Sequence, residues 1–472
     1  VACGLSLDQE LPLSIAHNFY SRIADDLLPS VVSFLSLSEG MEFSRVNLRT
    51  YAKSKFLIKE LSVAASRINE VMSRIQFSKF PLLRSLQPKG ENYPAKIVFP
   101  NGVGRIKRLS FFMISRSYIP IANELIEQIP GLESLSLACY SPQVFFEPEC
   151  GKLSAAAKAN IVALKELDFS GATVHVEGVS DTLLGLTQLT SVNLNGQLIS
   201  NAIFRELVRN RSLSILSLQD TKLAKSSPHI DYELLALCCT LERFAPGKEV
   251  TTNALRAILS ANAQLVHLDL SSCLGTLVED VVLQQIGSSN RGLQSIAFPR
   301  PLPGPSISGR GWMGFTGRCM GLVSLHVRGF SWISREDLIV GMSQCNRLQE
   351  LKLEDIEVTD DLLRALSQKT TLKTLIIMNP RSSSLFSAEG LKSLESLVNL
   401  EKLDLRGEVK LSDEMLHLYL RSFPKLESII IRSSRLLFSN GCLDEIKAQM
   451  ENKRGSLRHI EIPHSELNLA NL

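Results

Sequence analysis

LVSLHVRGFSWISREDLIVGMSQCNRLQELKLEDIEVTDDLLRALSQKTTLKTLIIM, from Leu322 to Met378, holds one pattern three times. The pattern is L-x-x-L-x-L with other aliphatics allowed: Leu322, Leu325, Val327; then Leu348, Leu351, Leu353; then Leu372, Leu375, Ile377. Within each copy the last two apolar side chains alternate with polar ones, as in a short strand with one buried side. A turn follows, then a hydroxyl residue, then apolar spacing of helical period, as in Val358-Thr359-Asp360 before Leu362, Leu363 and Leu366. A hydroxyl at that point can accept a hydrogen bond from a free N–H of the first helical turn.

Outward from this stretch the pattern recurs along most of the chain, and such periodicity decides the fold before any local assignment. Copies start at Ile106, Leu132, Leu164, Leu189, Leu213, Leu241, Leu265 and Leu293, and beyond the quoted segment at Leu400, Leu426 and Leu457. That makes fourteen, with a mean spacing near 27 residues. The copy at Leu241 is the weakest, because Phe244 is followed by Ala245-Pro246. Leu411-Ser412-Asp413, Ile199-Ser200 and Ile333-Ser334 repeat the capped helix start. One strand–helix unit cannot bury its own leucine face, whereas stacked units bury it against each other. This absorbs most of the 77 leucines among 472 residues. It predicts an α/β, right-handed solenoid of about fourteen strand–helix repeats curved into a horseshoe, and not two or three globular domains.

Composition narrows the function classes. Lys and Arg total 51 against 48 Asp and Glu, without long blocks of one sign, so a phosphate-tracking surface is not expected and nucleic acid is excluded as the main partner. No run approaches the roughly 18 apolar residues of a membrane span, so membrane insertion is not expected. The nine cysteines include no CxxC pair and are too sparse for a secreted disulfide framework, which favours a cytoplasmic or nuclear setting. The chain opens on Val1 instead of methionine, which leaves an organellar address open as well.

The units resemble leucine-rich repeats, specifically the cysteine-containing subtype common in F-box proteins. Cys238, Cys319 and Cys345 stand three residues before the first leucine of their copies, and Cys273 stands eight after Leu265, which are that subtype's cysteine positions. The resemblance covers about residues 106–462. Ahead of it, residues 1–80 fit a helical module, with short helices around 11–22, 25–35 and 39–53 and a longer one near 55–76. Residues 81–105 fit an irregular connection or a degenerate first repeat around Leu83, Leu86 and Pro88, and 106–472 the solenoid with a C-terminal cap.

Within the first module, IADDLLPSVVSFLSLSEGMEFSRVNLRTYA (23–52) is similar to the F-box, a helical module that docks onto the adaptor subunit of cullin-based ubiquitin ligases. The resemblance implies adaptor contacts through Leu27, Leu28, Val31, Val32, Phe34, Leu35, Phe43 and Val46. Ala24 and Thr50 stand where the motif usually has proline and tryptophan. The alternative for this segment is an amphipathic cap on the first repeat, in a scaffold subunit of a larger assembly.

Motifs for chemistry are sparse. Gly309-x-Gly311-x-x-Gly314 matches a dinucleotide fingerprint in letters, but it follows a proline-rich run and aligns without gaps with ISREDLIV (333–340), the helical arm of the next copy. Cys238-Cys239 falls on a buried slot of the repeat, and His459 and His464 lack partner ligands at zinc spacing. The expectation is a protein-binding chain without catalytic, cofactor or metal residues. Its binding residues are expected on the concave face, where side chains between the inward leucines emerge. In the middle copies these are small and polar (Ser191, Asn193, Asn195, Ser217, Gln219, Asp269, Ser271). From Leu322 onward they become His326, Arg328, Lys352, Ile376, Met378, Asp404, Arg406, Ile430 and Arg432, aliphatics rimmed by charge, as protein-binding patches are. The proline-rich loop 299–311, with Arg300 and Arg310, is a second surface candidate.

Overall fold

The computed structural model describes residues 60–64, 84–89, 106–113, 119–139, 153–170, 176–224, 230–300, 307–329, 333–383, 387–408, 412–432 and 459–461. They fall into two compact units that divide between Thr240 and Leu241.

In the unit up to Thr240, strands β1 (Glu60–Ala64), β2 (Ser85–Lys89), β3 (Arg108–Met113), β4 (Ser134–Cys139), β5 (Glu166–Asp168) and β6 (Ser191–Asn193) pair in sequence order and in parallel. A two-residue strand β7 (Leu198–Ile199) follows, then β8 (Ile215–Ser217), which pairs with β6, and β9 (Lys222–Leu223), which pairs with β7 at the neighbouring turn. The register places one apolar residue per strand in a row: Leu61, Leu86, Leu109, Leu135, Leu167, Val192, Leu216.

From Leu241 onward the same construction continues. The strands are β10 (Arg243–Ala245), β11 (His267–Asp269), β12 (Ser295–Ala297), β13 (Ser324–Arg328), β14 (Glu350–Glu354), β15 (Thr374–Ser383), β16 (Lys402–Glu408), β17 (Ser428–Arg432) and β18 (His459–Glu461). All pair in parallel, with the row Phe244, Leu268, Ile296, Leu325, Leu351, Leu375, Leu403, Ile429, Ile460 in register. Successive strands are joined by helices at Thr252–Ala261, Asp280–Ser289, Gly309–Thr316, Arg335–Gln344, Asp360–Ser367, Ala388–Ser393 and Asp413–Ser422. Parallel neighbours demand such crossovers. The strand–helix repeat is therefore a leucine-rich-repeat solenoid in each unit.

All fourteen expected copies supply a strand, and two further strands precede them. The helix expected near 55–76 is corrected by β1, and the connection at 81–105 contains β2. Ile58-x-x-Leu61-x-Val63 and Leu83-x-x-Leu86 are the repeat's own spacing. Their leucines also satisfy a helical period, so edge pairing with the next copy, a tertiary effect, decided between the two readings. The F-box-like segment 23–52, with Leu27, Leu28, Val31, Val32, Phe34, Leu35, Phe43 and Val46, lies outside the described residues.

The caps follow the sequence. Thr359, Ser412 and Ser334 accept from the backbone N–H of Leu362, Met415 and Asp337, and Thr251, Ser308 and Ser387 do the same for their helices. Ser200 holds the cap position of the Asn201–Leu207 helix without a side-chain cap bond. The glycine-rich stretch at 309–314 forms the helix Gly309–Thr316, as its alignment with the next copy implies. Pro246 follows β10, whose three residues match the length of β11 and β12.

The position three residues before each first leucine turns the chain from helix to strand. In several copies its carbonyl accepts the N–H of the leucine, as in Asn210 to Leu213, Asn262 to Leu265, Cys319 to Leu322 and Lys369 to Leu372. Its side chain is buried whether it is Ile129, Leu186, Asn210, Cys238, Asn290, Cys345, Lys369 or Phe423. Polar occupants bond backward to the preceding copy. Asn210 Oδ1 accepts from Leu189 N at 3.1 Å, Asn262 Oδ1 from Leu241 N at 2.8 Å, and Lys369 Nζ donates to Ser343 O at 2.6 Å. Burial of Cys238, Cys319 and Cys345 here, and of Cys273 at its own position, makes them structural thiols.

Candidate protein-binding face

The outer side of the sheet is built by the alternation that buries the leucines. In β13 and β14 every second residue is buried, and Ser324, His326, Arg328, Lys352 and Glu354 emerge between. Register then fixes lateral neighbours. His326, Lys352, Ile376, Asp404, Ile430 and Glu461 form one row, and Arg328, Glu354, Met378, Arg406 and Arg432 the next.

The expected residues are brought together, but they do not play equal parts. Glu354 is the hub of the first cluster: its carboxylate takes Arg328 Nη2 at 2.9 Å, Lys352 Nζ at 3.1 Å and His326 Nε2 at 3.2 Å. Burial pushes the Glu354 carboxyl up, but Lys352, Arg328 and His326 outweigh it and hold the group below its ordinary value. His326 is shifted down, first by burial and then by the Lys352 charge, against the opposing pull of Glu354. At the other end Arg432 reaches Glu461 Oε1 with Nε at 2.9 Å and Nη2 at 2.6 Å.

Asp404 and Ile430 correct the expectation of an exposed patch, since they are only 1% and 8% exposed. Arg406 folds over Asp404 in a two-pronged bond, Nε to Oδ1 at 2.8 Å and Nη2 to Oδ2 at 2.7 Å, with Ile376 and Ile430 on either side in register. Such paired geometry is the form in which a carboxylate tolerates burial. The Asp404 bond in turn raises the Arg406 guanidinium further above its ordinary value. The partly exposed aliphatics are therefore Ile376 and Met378, between the Glu354 cluster and the Asp404–Arg406 pair.

The middle copies differ in chemistry. Asn195 Oδ1 accepts from Ser217 Oγ at 2.7 Å and from Gln219 N at 2.8 Å, while Asn193 Oδ1 accepts from Asn195 N at 3.1 Å. Those groups hold the turn after the strand and are largely consumed by it. Of the second surface candidate, Arg300 pairs with Asp355 at 3.2 Å and Arg310 is exposed on the Gly309–Thr316 helix, while 301–306 lie outside the described residues. Asp355 has φ 54°, a left-handed turn residue at the end of β14, the place that Gly329 takes at the end of β13 with φ 61°.

Among the described residues no group of three or more His, Cys, Asp or Glu side chains is placed to hold a metal ion. No described helix is long and apolar enough to cross a membrane. Burial pushes the Cys238, Cys273 and Cys319 thiols up to about 12 and Cys345 to about 11, the opposite of an activated nucleophile. His459 is exposed on β18, 3.9 Å from Glu461, and His464 lies outside the described residues.

No family model matches the chain. It is 25% identical over 184 residues to Protein NLRC5 of Ictalurus punctatus, which covers 36% of this chain and 10% of that protein. The chain thus spans about a tenth of the length of the curated relative it matches. Among solved structures, an internalin (InlF) from Listeria monocytogenes aligns over 91% of this chain and 95% of its own, at 15% identity and a TM-score of 0.36. The in-register parallel strands and capped crossover helices of the chain are those of a leucine-rich-repeat fold.

Proposed function

We propose that the chain binds a protein target on the outer sheet face of β13–β17 and delivers it to a cullin-based ubiquitin ligase, whose adaptor subunit docks on residues 23–52. The observation that carries the binding half is the partial exposure of Ile376 and Met378 beside clustered cations, whereas the polar groups of Asn195, Ser217 and Gln219 in the middle copies are spent on one another. The adaptor half is supported by the F-box-like spacing of Leu27, Leu28, Val31, Val32, Phe34 and Leu35 directly ahead of the repeats. The second reading, a scaffold subunit with a vestigial F-box, is favoured by Ala24 and Thr50 at two of that motif's usual positions.

Gel filtration of the full chain with purified adaptor subunit separates them. The ligase reading expects a one-to-one complex at micromolar concentration. Leu28→Asp with Val31→Asp should abolish it, and Met378→Asp should leave it intact. Absence of the complex, or indifference to the double variant, refutes the ligase reading in favour of the scaffold.

A further inference from the structure

We propose that the partner segment seated on this face carries an acidic side chain two residues away from an aliphatic one, the acid meeting Arg328 and Lys352 and the aliphatic meeting Ile376 and Met378. This rests on the binding half of the function proposed above and specifies the partner's chemistry.

The first argument is an inventory of donors. Arg328 carries five N–H bonds and Lys352 three. Each spends one on Glu354, Arg328 on Oε1 and Lys352 on Oε2, which His326 shares. Arg328 Nε is buried and has no hydrogen-bond partner among the described residues. That nitrogen is closed to an incoming group, so an arriving carboxylate meets the remaining Nη hydrogens of Arg328, whose side chain is 32% exposed. The Arg406 and Arg432 guanidiniums, by contrast, each already bind a carboxylate through two nitrogens. The acid is thereby assigned to the β13–β14 side. Glu350 lies one same-face step from Lys352 toward the strand start and accepts from Ser324 Oγ at 3.1 Å. Its charge steers the incoming acid toward the Arg328 end.

The second argument is spacing. Strands lie about 4.8 Å apart, so the midpoint of β13 and β14 is about 7 Å from β15, while same-side residues of an extended peptide recur at about 6.7 Å. An extended segment crossing the strands therefore sets position i over Arg328 and Lys352 and position i+2 over Ile376 and Met378. An intervening residue points away and is free to vary.

Selection of a phage-displayed random dodecapeptide library on the immobilised full chain tests this, run in parallel on Lys352→Glu and Met378→Asp. The wild type is expected to enrich Asp or Glu two residues from Leu, Ile, Val or Met. Lys352→Glu should exchange the acid for Lys or Arg, and Met378→Asp should lose the enrichment. An enriched peptide should bind Lys352→Met roughly 10-fold more weakly by fluorescence anisotropy, in line with a charged hydrogen bond. Lys352→Met also replaces Lys352→Glu should the latter show a collapsed thermal midpoint. Peptides that depend on Met378 but carry no acid overturn this inference and leave the binding face standing. Peptides indifferent to Met378→Asp, or no enrichment at all, overturn both.

Discussion

Gly341 offers the sharpest test of how the repeats interlock. It is buried in the Arg335–Gln344 helix, against Trp312 of the preceding helix. A Cβ at Gly341 would lie 2.1 Å from Trp312 Nε1, 2.5 Å from Cδ1 and 3.0 Å from Cε2. Ordinary contacts of this kind need about 3.5 Å, so the indole would have to retreat by roughly 1.4 Å. It has little room, being fully buried with its ring 6.1 Å from Phe298 and 5.7 Å from Phe315. Overpacking of this sort costs about 1–3 kcal/mol. Alanine also returns about 1 kcal/mol of helix propensity. The expected outcome for Gly341→Ala is a net loss of about 1 kcal/mol, the middle of the roughly 0–2 kcal/mol that the two terms leave.

Urea unfolding of the full chain, followed by circular dichroism, measures this loss, and the molecule supplies its own control. Gly314 lies in the helix that carries Trp312, and a Cβ there meets nothing within 4 Å. Gly314→Ala is therefore expected to raise stability, by about 0.5–1 kcal/mol. A double variant, Gly341→Ala with Trp312→Phe, should cost less than the sum of its parts by at least about 0.5 kcal/mol, because the smaller ring vacates the contested space. A Gly341→Ala protein as stable as the wild type, or an additive double variant, refutes the wedge between these two helices.

Other expectations follow from single contacts. Asp360 accepts from Ser387 N at 2.6 Å and Oγ at 2.8 Å, holding the start of the next helix, so Asp360→Ala should cost about 1–2 kcal/mol by thermal unfolding. Asp361→Ala, which loses only an exposed partner in Arg364, should stay within about 0.5 kcal/mol of wild type. Glu354 is held below its ordinary carboxyl value, so the stability it contributes is present above pH 4.5 and is lost as pH falls through its folded value. An acid titration of stability should show that limb, and Glu354→Gln should flatten it. The four raised thiols act with the opposite sign: their contribution is complete below pH 9 and disappears as pH rises toward 11 to 12. Cys319→Ala should reduce that alkaline slope, and an unchanged slope would contradict it.

The periodic part of the molecule was legible in its leucines because one physical demand is repeated. Every strand must send a residue such as Leu325, Leu351 or Leu375 inward at the same height, so the demand is written in the same letters each time. The earliest strand was missed because Leu61 lacks that surrounding redundancy and its segment satisfies a helical period as well, whereas around Leu86 a degenerate repeat was one of two readings and β2 fits it. The candidate face was legible as a row of residues, since register follows from counting. Its energetics were not, because they depend on side-chain reach. Nothing in the letters says that Arg406 bends back two residues to cover Asp404, or that three donors converge on Glu354 from two strands.

The slot before each first leucine shows why the copies can keep one construction while sharing little sequence with each other. The slot requires a side chain that can be buried, and in several copies its carbonyl also closes the turn into the strand, which any residue can do. The requirement is met by burial alone for Ile129, Leu186 and Phe423, by a weak thiol contact for Cys319, and by hydrogen bonds at both amide atoms for Asn262. Lys369 meets it with its ammonium, which donates to Ser343 O and Asn346 Oδ1, and burial shifts the group below its ordinary value. Because the requirement is geometric and the chemistries are interchangeable, selection on the fold does not preserve letters here. The cysteines of this slot therefore report packing. Residues that the packing leaves unconstrained, on the outer rows from His326 to Arg432, are where differences of sequence can become differences of partner.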